Sequence, residues 1–311
     1  MSYSSAQFSG FSALFKIDLK LFVLVMLIVV IGLATLFSVS GGDINLITKQ
    51  LIRIAIGLTA MILLAQIHPD NFKLFSPLLY AFGIILLVLT IFFGVGKSAD
   101  RWLDFYILRF QPSELMKLFV PLMIASFYSD KSLPPKLKNL SIAVIIIVVP
   151  ALLIAKQPDL GTALLITSSG VIAIFLSGIK LSHIFLGTGL VIGAIPLLWS
   201  FMYEYQKSRV LSFFSPNTDT LGTGYHLAQS KISLGSGGLF GKGYMNGTQS
   251  QLDFLPENHT DFIFSAFGEE FGFVGVVILI SPSVLVALRG MSIQIKATAN
   301  SSRIFSATVI L

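Results

Sequence analysis

The chain has 311 residues, of which 54% are hydrophobic and only 12% charged, with a mean hydropathy of +0.85. Soluble domains carry roughly 25% charged residues, so this composition excludes an ordinary soluble domain and describes a polytopic membrane protein. The absence of cysteine removes disulfides, thiolate catalysis and thiolate metal sites, and the net charge of +6 lies mostly in short loops between apolar runs, which marks topology and not nucleic-acid binding.

Residues 1–20 are polar, and the uncharged run Leu21–Val39 is longer than a signal peptide's apolar core, so it reads as a retained first span. Apolar stretches of about spanning length recur at 54–67, 74–96, 113–128, 140–155, 160–179, 184–203 and 271–288, which makes eight predicted spans. Pro121, Pro150, Pro196 and Pro282 fall within these spans and read as kinks that neighbouring helices tolerate. A further apolar run starts at Ile304 and stops at Leu311, too short to cross a bilayer. The expectation is a chain that ends inside a partial ninth helix, as a truncated product would. No soluble domain boundary is visible, so residues 1–311 are read as a single integral membrane domain.

Orientation follows from the basic residues. With a cytoplasmic N-terminus, one face receives Lys16, Lys20, Lys73, Lys131, Lys136, Lys138, Lys180, Arg289, Lys296 and Arg303 against only Asp18, Asp70 and Asp130. The other face holds eleven acidic residues, and four of its ten basic ones lie in the long 204–270 segment, which the positive-inside rule discounts. The N-terminus is therefore placed inside and the 204–270 segment outside. That segment carries Tyr203, Tyr205, Phe213, Phe214, Tyr225, Phe240, Tyr244 and Phe254 at or near it, more aromatics than a solvating linker has. It reads as a folded cap at the membrane interface.

Several polar groups stand where chemistry is feasible. Glu114 and Lys117, three apart at the start of the fourth span, share a helix face, and ionisable groups at that depth favour a polar interior. Asp159, in the turn Gln157-Pro158-Asp159-Leu160-Gly161-Thr162, is a cap for the following helix or a direct participant. Arg101-Trp102 with Asp104 reads equally as an interfacial anchor. Gly235-Ser236-Gly237-Gly238-Leu239-Phe240-Gly241-Lys242-Gly243 is not a Walker A loop, since Ser236 and Gly243 occupy positions that motif reserves for Gly and for Ser or Thr. A flexible loop and a close backbone approach to a ligand, with Lys242 offered to an anion, remain open there. Glu257, His259 and Asp261 close the long segment just before the chain returns to apolar sequence. Asp261 is the candidate base, with His259 and Glu257 able to orient or replace it; from spacing alone, a helix cap is an equal reading. The four histidines, 68, 183, 226 and 259, are too scattered for a ligand cluster.

Ordered segments carry a resemblance: Arg101-Trp102; Gln111-Pro112-Ser113-Glu114-Leu115-Met116-Lys117; Gln157-Pro158-Asp159-Leu160-Gly161-Thr162; Gly224-Tyr225-His226; Gly235-Ser236-Gly237-Gly238 with Gly241-Lys242-Gly243; Leu255-Pro256-Glu257 with His259-Thr260-Asp261-Phe262; and Gly268-Glu269-Glu270 with Gly272-Phe273. The chain resembles the SEDS family of bacterial cell-wall polymerases, and its elongation branch more than its division branch. The resemblance implies an all-α helical bundle of ten spans, here eight complete and a partial ninth, with a large extracytoplasmic loop between spans seven and eight. It also implies a peptidoglycan glycosyltransferase that polymerises lipid II at the outer face of the bacterial inner membrane. Asp261 would deprotonate the acceptor 4-hydroxyl, with Lys117, Arg101, Arg209, Lys242 and a Mg²⁺ or Mn²⁺ ion as candidates to stabilise the undecaprenyl diphosphate leaving group. Glu114 would pair with Lys117 or, like Asp261, help to hold the metal. The implied partners are a class B penicillin-binding protein transpeptidase and other elongation-complex proteins. A lipid II flippase and a non-catalytic scaffold are the rival readings.

Overall fold

The computed structural model describes residues 17–96, 101–104, 109–131, 134–202, 223–251 and 259–296, with isolated positions at 204, 207, 210 and 211. The helices are α1 (Leu19–Val39), α2 (Ile44–Gln66), α3 (Pro69–Phe93), α4 (Pro112–Ser129), α5 (Leu137–Lys156), α6 (Leu160–Leu176), α7 (Leu181–Phe201), α8 (Thr223–Ser236), the one-turn α9 (Thr248–Gln251) and α10 (Ile263–Lys296). A two-residue ribbon pairs β1 (Leu103–Asp104) antiparallel with β2 (Arg109–Phe110), Leu103 opposite Phe110. Each predicted span overlaps one of α1 to α7 or α10, although α2 begins ten residues before the predicted 54–67 and α10 extends beyond 271–288 at both ends. Hydrocarbon offers the backbone no hydrogen-bond partner, so a long apolar segment closes its own bonds as helix.

Six of these helices, α1, α2, α3, α5, α7 and α10, are long and apolar enough to cross a membrane. Helix α4, with Glu114 and Lys117 early in its 18 residues, and α6, with 17 residues, fall outside that measure. This is a multi-pass membrane protein. The predicted partial helix after Ile304 lies outside the described residues.

The chain divides into two compact units, one formed by Met1–Gln66 with Met202–Leu288, the other by Ile67–Phe201 with Arg289–Leu311. In the second unit α3 to α6 enclose a core of Leu87, Met116, Val120, Ile124, Tyr128, Ile147, Ile154 and Ile166. Gly83 lies beneath Met116 and Gly170 against Ile147, with no room for a Cβ at either. In the first unit Val39 of α1 packs with Ala266 and Phe262 at the start of α10.

All four predicted prolines lie within helical stretches, as does Pro77. Each removes an N–H and frees the carbonyl four residues earlier. The freed Ile146 carbonyl, below Pro150, accepts from the Tyr80 hydroxyl at 3.0 Å. The Lys73 carbonyl, below Pro77, accepts from Ser76 and from Ser126 of α4, both at 3.0 Å, and Ser281 donates to Ile278 below Pro282 at 3.1 Å. Side chains thus take up the carbonyls freed by Pro77, Pro150 and Pro282. The non-helical interruption falls instead at Gly272 in α10, with φ 65 and ψ -167.

Candidate active site

The interruption at Gly272 organises the polar end of the first unit. It leaves the carbonyls of Glu269 and Glu270 without helical donors, and the glycine-rich loop supplies them: Lys242 N–H donates to Glu269 O and Gly243 N–H to Glu270 O, both at 3.0 Å. On the other side of the gap, Phe273 N–H donates to Gly238 O at 2.9 Å and Val274 N–H to Leu239 O at 3.0 Å. Loop and helix therefore complete each other's backbone bonding. The approach is so close that a Cβ on Gly237 would collide with the Gly268 carbonyl, and one on Gly241 with the Glu270 carbonyl. The glycines serve contact between two backbones of the same chain.

Two glutamates are buried at this clasp, Glu269 at 0% and Glu270 at 1% exposure. The Glu269 carboxylate accepts from Lys242 Nζ at 2.6 Å, Thr248 Oγ1 at 3.0 Å and the Gln249 N–H at 3.1 Å, and from Ser233 Oγ of α8 at 3.2 Å. It gathers α8, the glycine loop and α9 around one charge. Glu270 accepts from Ser38 Oγ of α1 at 2.5 Å, and Ser38 in turn accepts from Met245 N–H at 3.1 Å. Helix α8 lies along the start of α10, with Ser230 and Ser265 hydroxyls 2.6 Å apart.

Asp261 occupies the turn that leads into α10. Its side chain is exposed, as is that of His259 in the same turn. Among the described residues Asp261 has neither an ion-pair partner nor a capping hydrogen bond. Glu257 and Arg209 lie outside the described residues.

The remaining predicted residues belong to the second unit. Asp159 caps α6, accepting from Thr162 N–H at 3.3 Å and Thr162 Oγ1 at 2.9 Å, and also accepts from Gln111 Nε2 at 3.2 Å. Arg101 donates through Nε to the Gln157 carbonyl at 3.3 Å and through Nη2 to the Pro158 carbonyl at 2.5 Å, with Nη1 3.8 Å from Asp159. Its guanidinium ties the ribbon region to the turn before α6. Glu114 and Lys117 pair at 2.7 Å, with side chains 53% and 35% exposed. Of the cations placed here, Arg101 and Lys242 are engaged with buried or backbone acceptors, whereas the Lys117 pair is half in solvent.

Residues 12–311 match the family model for FtsW, RodA and SpoVE, described as "Cell cycle protein". The chain belongs to the FtsW/RodA/SpoVE family. It is 45% identical over 297 residues to the peptidoglycan glycosyltransferase MrdB of Escherichia coli K12, covering 95% of this chain and 80% of that relative. It is 32% identical over 298 residues to a probable peptidoglycan glycosyltransferase, FtsW, of Trichlorobacter lovleyi, covering 90% and 76%. Among solved structures it matches a chain of a peptidoglycan synthase complex studied for its coordination of polymerization and crosslinking, with a TM-score of 0.80 and 27% identity over 94% of this chain and 82% of that one. The rod shape determining protein RodA of Thermus thermophilus matches with a TM-score of 0.69 and 25% identity, over 94% and 80%.

In this FtsW/RodA/SpoVE chain, sequence reasoning assigned no role to Glu269, Glu270 or Ser38. The available signal was two adjacent glutamates, Glu269 and Glu270, between Gly268 and Gly272 at the threshold of an apolar run. Carboxylates so placed need named partners. Ser38 had no such signal, since its role comes from a residue 232 positions away.

Proposed function

We propose that this chain is a peptidoglycan glycosyltransferase that polymerises lipid II into glycan strands during cell elongation, with Asp261 as general base. The observation that carries the residue assignment is the contrast between two aspartates. Asp159 is occupied by a helix cap and by Gln111, whereas Asp261 is exposed, with a carboxylate that has no partner among the described residues. A base must be open to the proton it takes.

Asp261 accepts the proton of the acceptor sugar's 4-hydroxyl as that oxygen forms its bond to the donor's anomeric carbon. The bond from that carbon to undecaprenyl diphosphate breaks, and the single displacement inverts the anomer. Negative charge grows on the leaving diphosphate, so a positioned cation favours the transition state over the ground state. Lys117, partly exposed beside Glu114, can offer such a charge. Arg101 and Lys242 act at one remove, holding the turn before α6 and the glycine loop.

A divalent cation fits as a companion of the diphosphate. Among the described residues no three His, Asp or Glu side chains gather into a cage, but one carboxylate with phosphate oxygens and water is a usual Mg²⁺ environment. Asp261 or Glu114 would hold it, and the ion would neutralise charge on the departing oxygens. The likeness to a chain of a peptidoglycan synthase complex supports a class B penicillin-binding protein as partner, within an elongation complex in the bacterial inner membrane. The basic-residue bias supports a cytoplasmic N-terminus.

The test is lipid II polymerisation by the chain co-purified with its transpeptidase partner, with Mg²⁺ or Mn²⁺. Asp261→Asn is expected to lose roughly 10²–10⁴-fold in rate while still inserting in the membrane. Near-normal glycan synthesis by that variant would overturn the assignment.

A further inference from the structure

By sequence the glycine-rich loop belongs to a polar excursion between spans, yet two separate attachments tie it to the apolar helices α10 and α1. The first is to α10. Gly238 and Leu239 carbonyls accept from Phe273 and Val274 N–H, the opening residues of a run that continues uncharged to Leu288. The second is to α1, where the Tyr244 hydroxyl donates to the Ala34 carbonyl at 3.0 Å. Ala34 lies within α1, which ends at Val39, so this contact sits about 7 Å inside the helix end at 1.5 Å per residue.

Between these attachments the loop presents a bare apolar tip. Leu239 is 64% and Phe240 81% exposed. The tip is continuous with the outward face of α10, where Phe273, Val277 and Ile278 are 62%, 49% and 56% exposed. Part of the backbone around it is paired: Gly241 N–H donates to Gly237 O at 2.8 Å, and the clasp uses the Gly238 and Leu239 carbonyls. Irregular backbone is tolerated in hydrocarbon where protein satisfies its polar groups, and the Gly237, Gly238 and Leu239 carbonyls are satisfied in this way.

We propose that the loop from Gly235 to Tyr244 is a re-entrant wedge, with Leu239 and Phe240 immersed in the acyl chains of the leaflet on the Asp261 side. The occupant is bilayer lipid, because the tip extends a face that an apolar span already presents to lipid. An amphipathic flank completes the fit: Lys242, two residues after Phe240, turns its ammonium inward to Glu269 and leaves the tip uncharged. The wedge sets the depth of the helix break, and does so whatever reaction the protein performs.

The test is depth-dependent fluorescence quenching. The chain has two tryptophans, Trp102 and Trp199, which are replaced by Phe so that Phe240→Trp provides a single reporter. The protein is reconstituted in phosphatidylcholine vesicles with or without bromine at carbons 6 and 7 of an acyl chain, and acrylamide is the aqueous quencher. Two references bracket the result: Phe273→Trp on the apolar face of α10, and Asp70→Trp in the first turn of α3, whose native side chain is 81% exposed. The proposal expects Phe240→Trp to lose intensity in brominated lipid as Phe273→Trp does and to resist acrylamide. Quenching by acrylamide to the extent of Asp70→Trp, with little loss to bromolipid, overturns it. Leu239→Trp serves as an independent reporter should the first variant fail to fold.

Discussion

Lys242 shows how one residue's role depends on what it faces. Its ammonium is paired at 2.6 Å with a carboxylate of 0% side-chain exposure, so Lys242→Met leaves a buried charge without its cation. The expected cost is about 3 kcal/mol or more in unfolding free energy, read as a lower melting temperature in detergent, and Lys242→Arg should recover part of it. Tyr80→Phe removes the donor to the carbonyl freed by Pro150 and should cost about 1 kcal/mol in the same measurement. A pH effect belongs to Asp130, whose hydrogen bond from Lys73 holds its carboxyl below the ordinary carboxylate value. The unfolded chain titrates at that ordinary value. The stabilisation is therefore complete above it and disappears as pH falls through the lower native value. Melting temperature should drop less on acidification in Asp130→Asn than in the native chain.

At the scale of elements, the clasp predicts which glycines are replaceable. Gly272→Ala puts a Cβ against the Gly241 nitrogen and the Leu239 carbonyl at a residue with φ +65. Strain and overlap together should cost at least about 2 kcal/mol and open the 237–243 loop to protease. Gly235→Ala meets nothing within 4 Å, and should be neutral or slightly stabilising at the end of α8. The helices themselves were legible in the sequence because hydropathy over a window of spanning length is a local property. The break was not legible. Its partner segment, Gly238–Gly243, lies some way earlier in the chain, and the prolines that signal interruption locally sit elsewhere in the helices. Asp159 was legible as a cap, since Asp three residues before Thr162 is a local pattern; Asp261 shares the residue type but not the capping bond, and spacing alone left its role open. Lys242 read as an anion-binding cation because its buried partner is 27 residues distant.

Taken whole, the molecule offers a direct test of its orientation. A chain without cysteine accepts single reporter thiols, and in intact cells a membrane-impermeant maleimide should label Asn246→Cys but leave Ser4→Cys untouched. Labelling of Ser4→Cys from outside would reverse the assigned topology. The multi-pass membrane character followed from composition, and the all-α bundle and the family from ordered motifs spread over nearly the full chain. Division into two compact units had no counterpart in the sequence, because the first unit draws on segments at both ends of the chain.

The clasp also has a history, set by the direction of synthesis. Gly238 to Gly243 leave the ribosome before Gly268 to Val274, so the loop's polar backbone exists for a time without the helix gap it will fill. A break of that kind cannot rest unpaired in hydrocarbon. The last described span must therefore meet its loop while still leaving the insertion machinery, and a slowed or misdirected loop would strand the helix at the lipid boundary. Substitutions at Gly237, Gly241 or Gly272 would then be seen first as degraded, poorly inserted protein and only second as lost catalysis.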